Sequence, residues 1–390
     1  MTLIPSAPLR PDVLEPLNIS YPPAYERAKA LAASLTDEQV ADLAARSEFP
    51  EDLWEFVTDA GLLRLGIDER WGGEPGGIVE KMQVAEILSQ RIGVLSWVWG
   101  ITTCFAGPIL QSLGSEDLKA LILPKLVEGK ARFAFGVSEP AGGSDLFGAL
   151  TTSYADGQLN GVKRWCTASL TADYLIILAR DTKAEGGGTA GLTLCVVDRR
   201  ADGMTFERIP TPSFASAIGT YQVEFDNVPV MEAWQGPEVK EALRHVLIEE
   251  RLLIPGIVIG AATGALERSL AYAKTRNAFG NPVDSYQGLQ HQVADAVMDL
   301  ETSRHYSYEM AQRWARGDDV EIGCDVAKSR STTAAQRVAD VAVQMMGGIG
   351  FTGWGGVEHI WRDLRAFQLA PITEELVRNR VARYMGMSRR

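Results

Sequence analysis

A glycine- and serine-rich segment, FGVSEPAGGSD at residues 135–145, is the first part of the sequence with the means to hold a ligand. It follows a run typical of a β-strand, and its glycines let a ligand approach the backbone closely because they carry no side chain. Ser138 and Ser144 add two hydroxyls, and exposed main-chain amides in such a turn suit a pyrophosphate. Composition alone favours an ordinary glycine-rich turn over a ligand-binding loop, and both interpretations stay open.

Two further segments combine an aromatic ring with a polar group. In LNGVKRWCTAS, alternation places Trp165 and Thr167 on one face of a strand, where the indole can pack on a flat heterocycle and the hydroxyl can hydrogen-bond to it. In TRNAFGNPVDSYQ, Arg276 can clamp a phosphate while Phe279 and Gln287 frame an adenine ring. The simpler interpretations are a core tryptophan and an arginine that favours the end of a helix.

A fourth segment, QMMGGIGFTGWGG at residues 344–356, is only weakly similar to a phosphate-binding loop. No strand pattern precedes it, so it is neither a Rossmann fingerprint nor a Walker loop. Its glycines therefore predict a break between two helices.

The spacing of apolar residues divides the chain into three parts, and the secondary structure of these parts must position the four segments. Apolar residues recur at helical spacing from about residue 24 to 130, alternate to about residue 229, and return to helical spacing from about residue 238. Four segments predict an antiparallel bundle in the last part, at residues 239–254, 264–277, 286–315 and 324–346. We therefore predict an α+β chain with an N-terminal helical domain (1–130), a middle β-barrel-like domain (131–235) and a C-terminal four-helix bundle (236–390).

The overall composition excludes several classes of function. Thirty-eight Lys and Arg against fifty Asp and Glu give a net charge of −12. That balance argues against a nucleic-acid binder, because such a protein needs a basic surface. The four cysteines and four histidines are scattered without metal-ligand spacing, so we expect no metal site.

The sequence predicts neither export nor membrane attachment. The N-terminal residues lack a basic region followed by an apolar stretch, so we expect no secretion signal and a cytoplasmic protein. One uncharged run, residues 93–115, is long enough to span a membrane, but its threonines, glycine and proline favour a buried helix.

Together the four segments resemble the acyl-CoA dehydrogenase family of flavoproteins, and the resemblance runs from about residue 25 to 390. GVSEPAGGSDLFG matches the first signature of that family at every defined position. QxxGGxGF, followed by WRD at residues 361–363, matches the second signature in length, although Trp354 and His359 depart from it. The strings GIDERWGG, KRWCT, RNAFG and FDNVPV also resemble the family in order and spacing.

The resemblance implies FAD, bound non-covalently between the middle domain and the bundle. The loop after the first strand would meet the flavin pyrimidine edge and the pyrophosphate, Trp165 would cover the isoalloxazine, and Thr167 would hydrogen-bond near N5. Other residues would embrace the adenosine diphosphate half across a subunit interface. The implied FAD-binding positions are Phe135, Val137, Ser138, Gly143, Ser144, Trp165, Thr167, Arg276, Phe279, Gln287, Gln344, Gly348 and Thr373.

The family's reaction implies an acyl-CoA thioester that loses a proton from Cα to a carboxylate and a hydride from Cβ to flavin N5. The family's usual catalytic glutamate corresponds to Pro371, which has neither a carboxylate nor a backbone N–H. Some members carry the base in a Glu-Arg pair on the first bundle helix, and the matching pair is Glu250-Arg251. We therefore predict Glu250 as the base and Arg251 as the residue that fixes the helix, with Glu374 and Glu375 as weaker candidates. A solvated glutamate on an acidic helix face is the simpler interpretation of Glu250.

The acyl chain would point into the N-terminal helices. There Trp97, Trp99 and Phe105 either narrow the substrate site or simply pack in the core, while Pro371 would seal the opposite wall. The resemblance also implies an electron-transfer flavoprotein as electron acceptor and a homotetramer or homodimer.

Other functions fit the same fold. The protein could act on an acyl-carrier-protein thioester, as an enoyl-thioester reductase, or as a flavin monooxygenase. A non-catalytic subunit of a hetero-oligomeric dehydrogenase is a further alternative, and Pro371 favours it.

Overall fold

The computed structural model describes residues 21–93, 95–184, 190–211 and 217–388. Helices, then a β-sheet, then long helices follow one another along the chain, which confirms the predicted fold class. Residues 1–20, which the prediction assigned to the N-terminal domain, lie outside the described part.

The N-terminal part is helical, and most of α4 is buried. Its helices are α1 (Pro22–Ser34), α2 (Asp37–Ala45), α3 (Glu51–Asp59), α4 (Ile78–Ile92), α5 (Leu95–Gly100), α6 (Gly107–Leu113) and α7 (Glu116–Val127). A π-helical segment, Ile101–Ala106, joins α5 to α6. Within the uncharged run, residues 95–113 therefore form mostly buried helix, and no helix within the described ranges is long and apolar enough to cross a membrane.

The middle part is one sheet in the order β6-β7-β3-β2-β4-β5-β8, with β1 pairing in parallel with β4. Its strands are β1 (Phe133–Gly136), β2 (Ser153–Ala155), β3 (Gln158–Thr167), β4 (Tyr174–Asp181), β5 (Leu192–Asp198), β6 (Met204–Ile209), β7 (Thr220–Pro229) and β8 (Glu232–Trp234). The Asp156-Gly157 turn joins β2 to β3, and both residues have positive φ, as a tight hairpin requires. The pairing of β3 with β7 shifts between Lys163 and Cys166, just where Trp165 lies.

The C-terminal part is built from three long helices and two shorter ones. They are α8 (Pro237–Thr275), α9 (Gln287–Ala315), α10 (Glu321–Met346), α11 (Glu358–Phe367) and α12 (Glu374–Tyr384). A small hairpin of β9 (Asn277–Ala278) and β10 (Asn281–Pro282) separates α8 from α9.

The first helix of the C-terminal part differs from its prediction. Segments 239–254 and 264–277 were expected to be separate helices, but both belong to α8. The glycines between them let α8 pack closely on α4 rather than ending a helix. A Cβ at any of Gly256, Gly260 and Gly264 would lie only 2.0–2.6 Å from a main-chain carbonyl oxygen of α4. Close approach of two backbones is thus why glycine recurs every fourth residue there.

Candidate active site

The loop after β1 is anchored by a buried carboxylate, Glu139. It accepts hydrogen bonds from the main-chain N–H groups of Thr151 (2.8 Å) and Thr152 (2.9 Å), and it forms an ion pair with Lys163 Nζ at 2.8 Å. Lys163 also donates to the carbonyl of Val137 (3.2 Å), so the loop is fixed from both sides. Burial opposes ionisation, but the hydrogen bonds from Lys163 and the two threonines prevail and lower the pKa of Glu139 to about 2.

This anchoring leaves the predicted ligand contacts of the loop accessible. Phe135, Val137 and Ser138 are partly exposed, while Gly143 and Ser144 are exposed. The carbonyl of Ser138 accepts a hydrogen bond from the N–H of Arg164 (2.9 Å), which places the loop beside the strand that carries Trp165. The structure therefore brings the first two predicted segments together.

Trp165 has an unusual backbone conformation for a large residue. Its φ is +65° and its side chain is 56% exposed, although it lies in a strand. A non-glycine residue in this region costs of order 1–3 kcal/mol, and such strain clusters at functional sites. Thr167 lies two residues further on, partly buried, with its hydroxyl 3.4 Å from that of Thr220. An exposed indole two residues from a hydroxyl offers a flat heterocycle both a surface to pack on and a group to hydrogen-bond with.

The predicted adenosine contacts lie elsewhere on the surface. Arg276 ends α8, and Phe279 lies in the turn of the following hairpin with φ +51° and 98% exposure. Gln287 is exposed at the start of α9, and Arg276 forms no ion pair with any described residue. Gln344 and Gly348, at the end of α10, are exposed as well, but no described contact joins them to the hairpin. Thr373 uses its hydroxyl to cap α12, accepting from the N–H of Leu376 (3.3 Å).

Glu250 is a partly exposed carboxylate on α8 that makes no hydrogen bond or ion pair with any described residue. Burial raises the pKa of Glu250 to about 8, against the opposing positive charges of Arg251 and Lys328. A free carboxylate with a raised pKa is the form expected of a general base.

The neighbours of Glu250 are not a solvated acidic face. Glu249 is buried and pairs with His245 Nε2 at 3.2 Å. Burial alone would raise the pKa of Glu249, but the hydrogen bond to His245 and the charge of Lys81 lower it. The simpler interpretation of Glu250 as a solvated surface residue therefore loses its basis.

Arg251 points away from Glu250 into a buried ionic network. Its guanidinium pairs with the fully buried Asp325 on α10 and donates to the carbonyl of Leu247 (2.6 Å). Asp325 also pairs with Arg380, which bonds Glu321 at 2.8 Å. The network ties α8, α10 and α12 together, and it fits the predicted role of Arg251 in fixing the helix.

The segment that contains Pro371 closes over a buried lysine. Lys328 Nζ donates to the main-chain carbonyls of Ile372 (2.7 Å) and Gln368 (3.4 Å), on either side of the proline. Burial lowers the pKa of Lys328 to about 8. Glu374 lies 3.7 Å from Lys328 and accepts from the Ser329 hydroxyl (2.6 Å), so its carboxylate is held by α10.

A row of aromatic rings connects β1 to the helix before Pro371. The ring centroids of Phe135 and Phe105 lie 5.9 Å apart, those of Phe105 and Trp97 5.7 Å, and those of Trp97 and Phe367 5.9 Å. Trp97 is partly exposed, whereas Trp99 is fully buried and donates its indole N–H to the carbonyl of Leu62 (3.0 Å). The structure therefore favours a core role for Trp99 and places Trp97 in the row.

Several residues of the site carry no signal in the sequence. Asp325 and Lys328 belong to no motif, and Lys163 lies in the KRWCT string without a predicted role, so burial is what distinguishes all three. Glu139 lies inside the predicted ligand loop, but its role as an anchor depends on a strand that begins 19 residues later along the chain. No group of His, Cys, Asp and Glu side chains in the described ranges is arranged to hold a metal ion.

Comparison with known proteins agrees with this geometry. Residues 24–130, 134–228 and 241–386 match the N-terminal, middle and C-terminal domains of acyl-CoA dehydrogenases. An acyl-CoA dehydrogenase of Bacillus subtilis (strain 168) is 30% identical over 87% of this chain and 90% of its own length. The acyl-CoA dehydrogenase fadE12 of Mycobacterium bovis is 29% identical over 90% of this chain and 92% of its own.

A solved structure shows the same fold. Butyryl-CoA dehydrogenase from Megasphaera elsdenii has a TM-score of 0.87 over 95% of this chain and 100% of that chain, at 23% identity. The chain belongs to the acyl-CoA dehydrogenase family, a class of FAD-dependent oxidoreductases. The family, enzyme class and cofactor predicted from the motifs are thereby confirmed.

Proposed function

We propose that the protein catalyses the α,β-dehydrogenation of an acyl-CoA thioester, with Glu250 taking the α-proton. The observation that carries the proposal is the state of this carboxylate. Glu250 is partly buried and free of partners among the described residues, and its pKa is raised. By the family resemblance, Pro371 takes the usual position of the base. A positioned general base typically contributes about 10²–10⁴ in rate.

The residues present fit a flavin. Trp165 offers an exposed aromatic plane held in a strained backbone, Ser138 bonds to the adjacent Arg164, and the loop held by Glu139 exposes Gly143 and Ser144. A Cβ at Gly143 would meet nothing within 4 Å, so the backbone there is open to a ligand. When bound, FAD would supply the acceptor for the hydride from Cβ.

The ionic network of Arg251 supports the placement of the base. Since Arg251 is engaged with Asp325, it anchors α8 without neutralising Glu250 through a direct pair. Glu374 has its carboxylate occupied by Ser329 and Lys328, and the Glu375 side chain is 79% exposed. Neither alternative carboxylate combines burial with freedom from partners, which favours Glu250.

A cavity of about 610 Å³ lies beside this ionic network. Its lining includes Arg313, Arg380 and Arg383 together with Asp319 and Glu321, and Arg380 is paired with Glu321 and with Asp325, which in turn pairs with Arg251. This volume falls within the usual range for small-molecule sites. We propose that a phosphate of the acyl carrier, coenzyme A or the phosphopantetheine of a carrier protein, binds at Arg383, which forms no ion pair with a described carboxylate.

The exposed FAD-binding candidates support assembly from several copies. Phe279 is almost fully exposed, and Arg276 and Gln344 point to solvent within one chain. A second chain that completes the adenosine diphosphate site would cover these groups. We propose a homotetramer or homodimer, and an electron-transfer flavoprotein as acceptor of the two electrons, as the family resemblance implies.

An anaerobic titration of the purified protein tests this function. We expect a yellow homomeric protein whose absorbance near the flavin maximum bleaches on addition of butyryl-CoA, with the enoyl thioester as product by mass spectrometry. A colourless protein that acquires activity only with a second subunit would contradict the proposal. Bleaching by a reduced nicotinamide without any acyl-CoA would indicate monooxygenase chemistry instead.

A further inference from the structure

We propose that Lys81 is a positioning residue for the flavin: it holds the π-helical segment Ile101–Ala106 in the form that supports β1, the strand from which the flavin-binding loop extends. This inference deepens the proposed function and rests on its placement of FAD. It gives a role to a buried lysine that neither the ligand-binding motifs nor the proposed reaction uses.

The π-helical segment contains a carbonyl group that lacks its regular donor. A π-helix pairs each carbonyl with the N–H five residues later, and the carbonyl of Thr102 accepts from Gly107 in this way. The next carbonyl, that of Thr103, would accept from residue 108, which is a proline and has no N–H. Thr103 is fully buried, and a buried carbonyl without a donor costs about as much free energy as a lost hydrogen bond. The segment therefore needs a donor from another element.

Lys81 on α4 supplies this donor. Its Nζ lies 3.0 Å from the carbonyl oxygen of Thr103, and its side chain is only 3% exposed. The loop before α4 confines the lysine as well, because a Cβ at Gly66 would lie 2.9 Å from Lys81 Cε and 3.0 Å from Nζ. Burying an ammonium group is costly unless it is hydrogen-bonded or paired, so its position at this carbonyl indicates a specific role.

Glu249 on α8 offers another interpretation of Lys81, that of a counter-charge. Burial opposes ionisation of Glu249, but the hydrogen bond to His245 and the charge of Lys81 lower its pKa. The ion pair of Glu249 is formed with His245, at 3.2 Å, and no described carboxylate lies within ion-pair distance of Lys81. The hydrogen bond to the Thr103 carbonyl is the direct contact, which favours the role as a donor.

The π-helical segment in turn contacts β1 at two points. The hydroxyl of Thr102 accepts a hydrogen bond from the N–H of Phe133 at 3.5 Å, and the ring centroids of Phe105 and Phe135 lie 5.9 Å apart. Phe135 is itself one of the predicted FAD-binding residues. A segment that rewinds to satisfy its carbonyl elsewhere would move both contacts away from β1, and the loop that follows would lose its support.

Dissociation of FAD from the purified holoenzyme tests the inference without any acyl-CoA. Serial dilution, followed by the recovery of flavin fluorescence, gives the dissociation constant. Lys81→Met should raise this constant at least about tenfold, because the Thr103 carbonyl loses its donor. Lys29→Met is a matched control that removes the same charge from an exposed position on α1, and it should bind FAD as the wild-type protein does.

A second substitution separates the role as a donor from general damage. Pro108→Ala restores an N–H five residues after Thr103. The double variant Lys81→Met/Pro108→Ala should therefore bind FAD within about threefold of the wild-type protein, whereas Pro108→Ala alone should change little. Glu249→Gln in the Lys81→Met background removes only the uncompensated negative charge, so it should leave the FAD defect in place.

The outcomes are distinct from those of the proposed function. Wild-type FAD affinity in Lys81→Met, or a defect that Glu249→Gln relieves and Pro108→Ala does not, would overturn the role of Lys81. If Lys81→Met yields no folded protein, Thr102→Val tests the same link, since it removes the acceptor for the N–H of Phe133; unchanged FAD affinity in that variant would overturn the inference too. Failure of every acyl-CoA to bleach the flavin would overturn the proposed function and leave these FAD measurements unaffected.

Discussion

The pH dependence of flavin reduction follows directly from the surroundings of Glu250. Burial raises the pKa of this carboxylate to about 8 in the free enzyme. Only the ionised form can accept the α-proton, so the second-order rate of reduction should rise with pH. With a midpoint of about 8, roughly 1% of the carboxylate is ionised at pH 6 and roughly half at pH 8. The rate should therefore increase about tenfold per pH unit below the midpoint and level off above it.

Replacing Lys328 provides a second test of the same pH profile of flavin reduction. Its positive charge stabilises the ionised form of Glu250 and opposes the effect of burial. Lys328→Met should thus move the midpoint of the profile upward. Lys240→Met is a matched control, because Lys240 is exposed on the same helix as Glu250 and its charge is screened by solvent.

Stopped-flow mixing with limiting acyl-CoA at a series of pH values provides the assay. The ratio of the rate constant to the dissociation constant reports on groups of the free enzyme. A profile that is flat between pH 6 and 9, or one with a midpoint near that of an ordinary glutamate, would refute the assignment. An unchanged midpoint in Lys328→Met, in a variant that retains flavin and the wild-type melting temperature, would refute the influence of Lys328.

Three further predictions concern the cofactor, the loop and the packing of the helices. Arg276→Ala should lose flavin and loosen the oligomer, which flavin content and light scattering measure; retention of both would exclude a clamp between subunits. Glu139→Gln should destabilise the protein by about 3 kcal/mol at neutral pH, since it leaves a buried lysine unpaired. The contribution of the ionised Glu139 is complete above pH about 4.5 and is lost as the pH falls towards 2, so the difference between the two proteins in melting temperature should shrink on acidification. Gly260→Ala should destabilise by about 1–3 kcal/mol because its Cβ would meet a carbonyl of α4 at 2.0 Å, whereas Gly288→Ala, with no neighbour within 4 Å, should be neutral or slightly stabilising in thermal melts.

The order of the domains could be predicted because each has its own hydrophobic period. Spacing of three and four residues distinguishes the helical parts from the alternating strands at residues 131–229, and the structure places β1 to β8 between Phe133 and Trp234. The error lay in α8, which was predicted as two helices, residues 239–254 and 264–277, although it is continuous through Gly256, Gly260 and Gly264. These glycines are explained by tertiary packing, because the backbone of α4 approaches α8 closely there, and no local pattern reveals such a contact.

The candidate site was predictable where a motif covers it. The loop from Phe135 and the strand with Trp165 stand side by side, as the motifs implied. Lys328 was not predictable, because its partners are main-chain carbonyls about 40 residues away. The positive φ of Trp165 could not be predicted from the sequence either, since it arises where β3 shifts its register against β7.

The role of Glu250 is the central claim, and Glu250→Gln tests it most directly. The amide has the same shape but cannot accept the α-proton, so the variant should bind FAD and acyl-CoA nearly normally. With saturating butyryl-CoA, rapid mixing should show flavin bleaching at least about 10²-fold slower than in the wild-type protein. Bleaching at the wild-type rate would contradict the account and move the search for the base to Glu374 and Glu375.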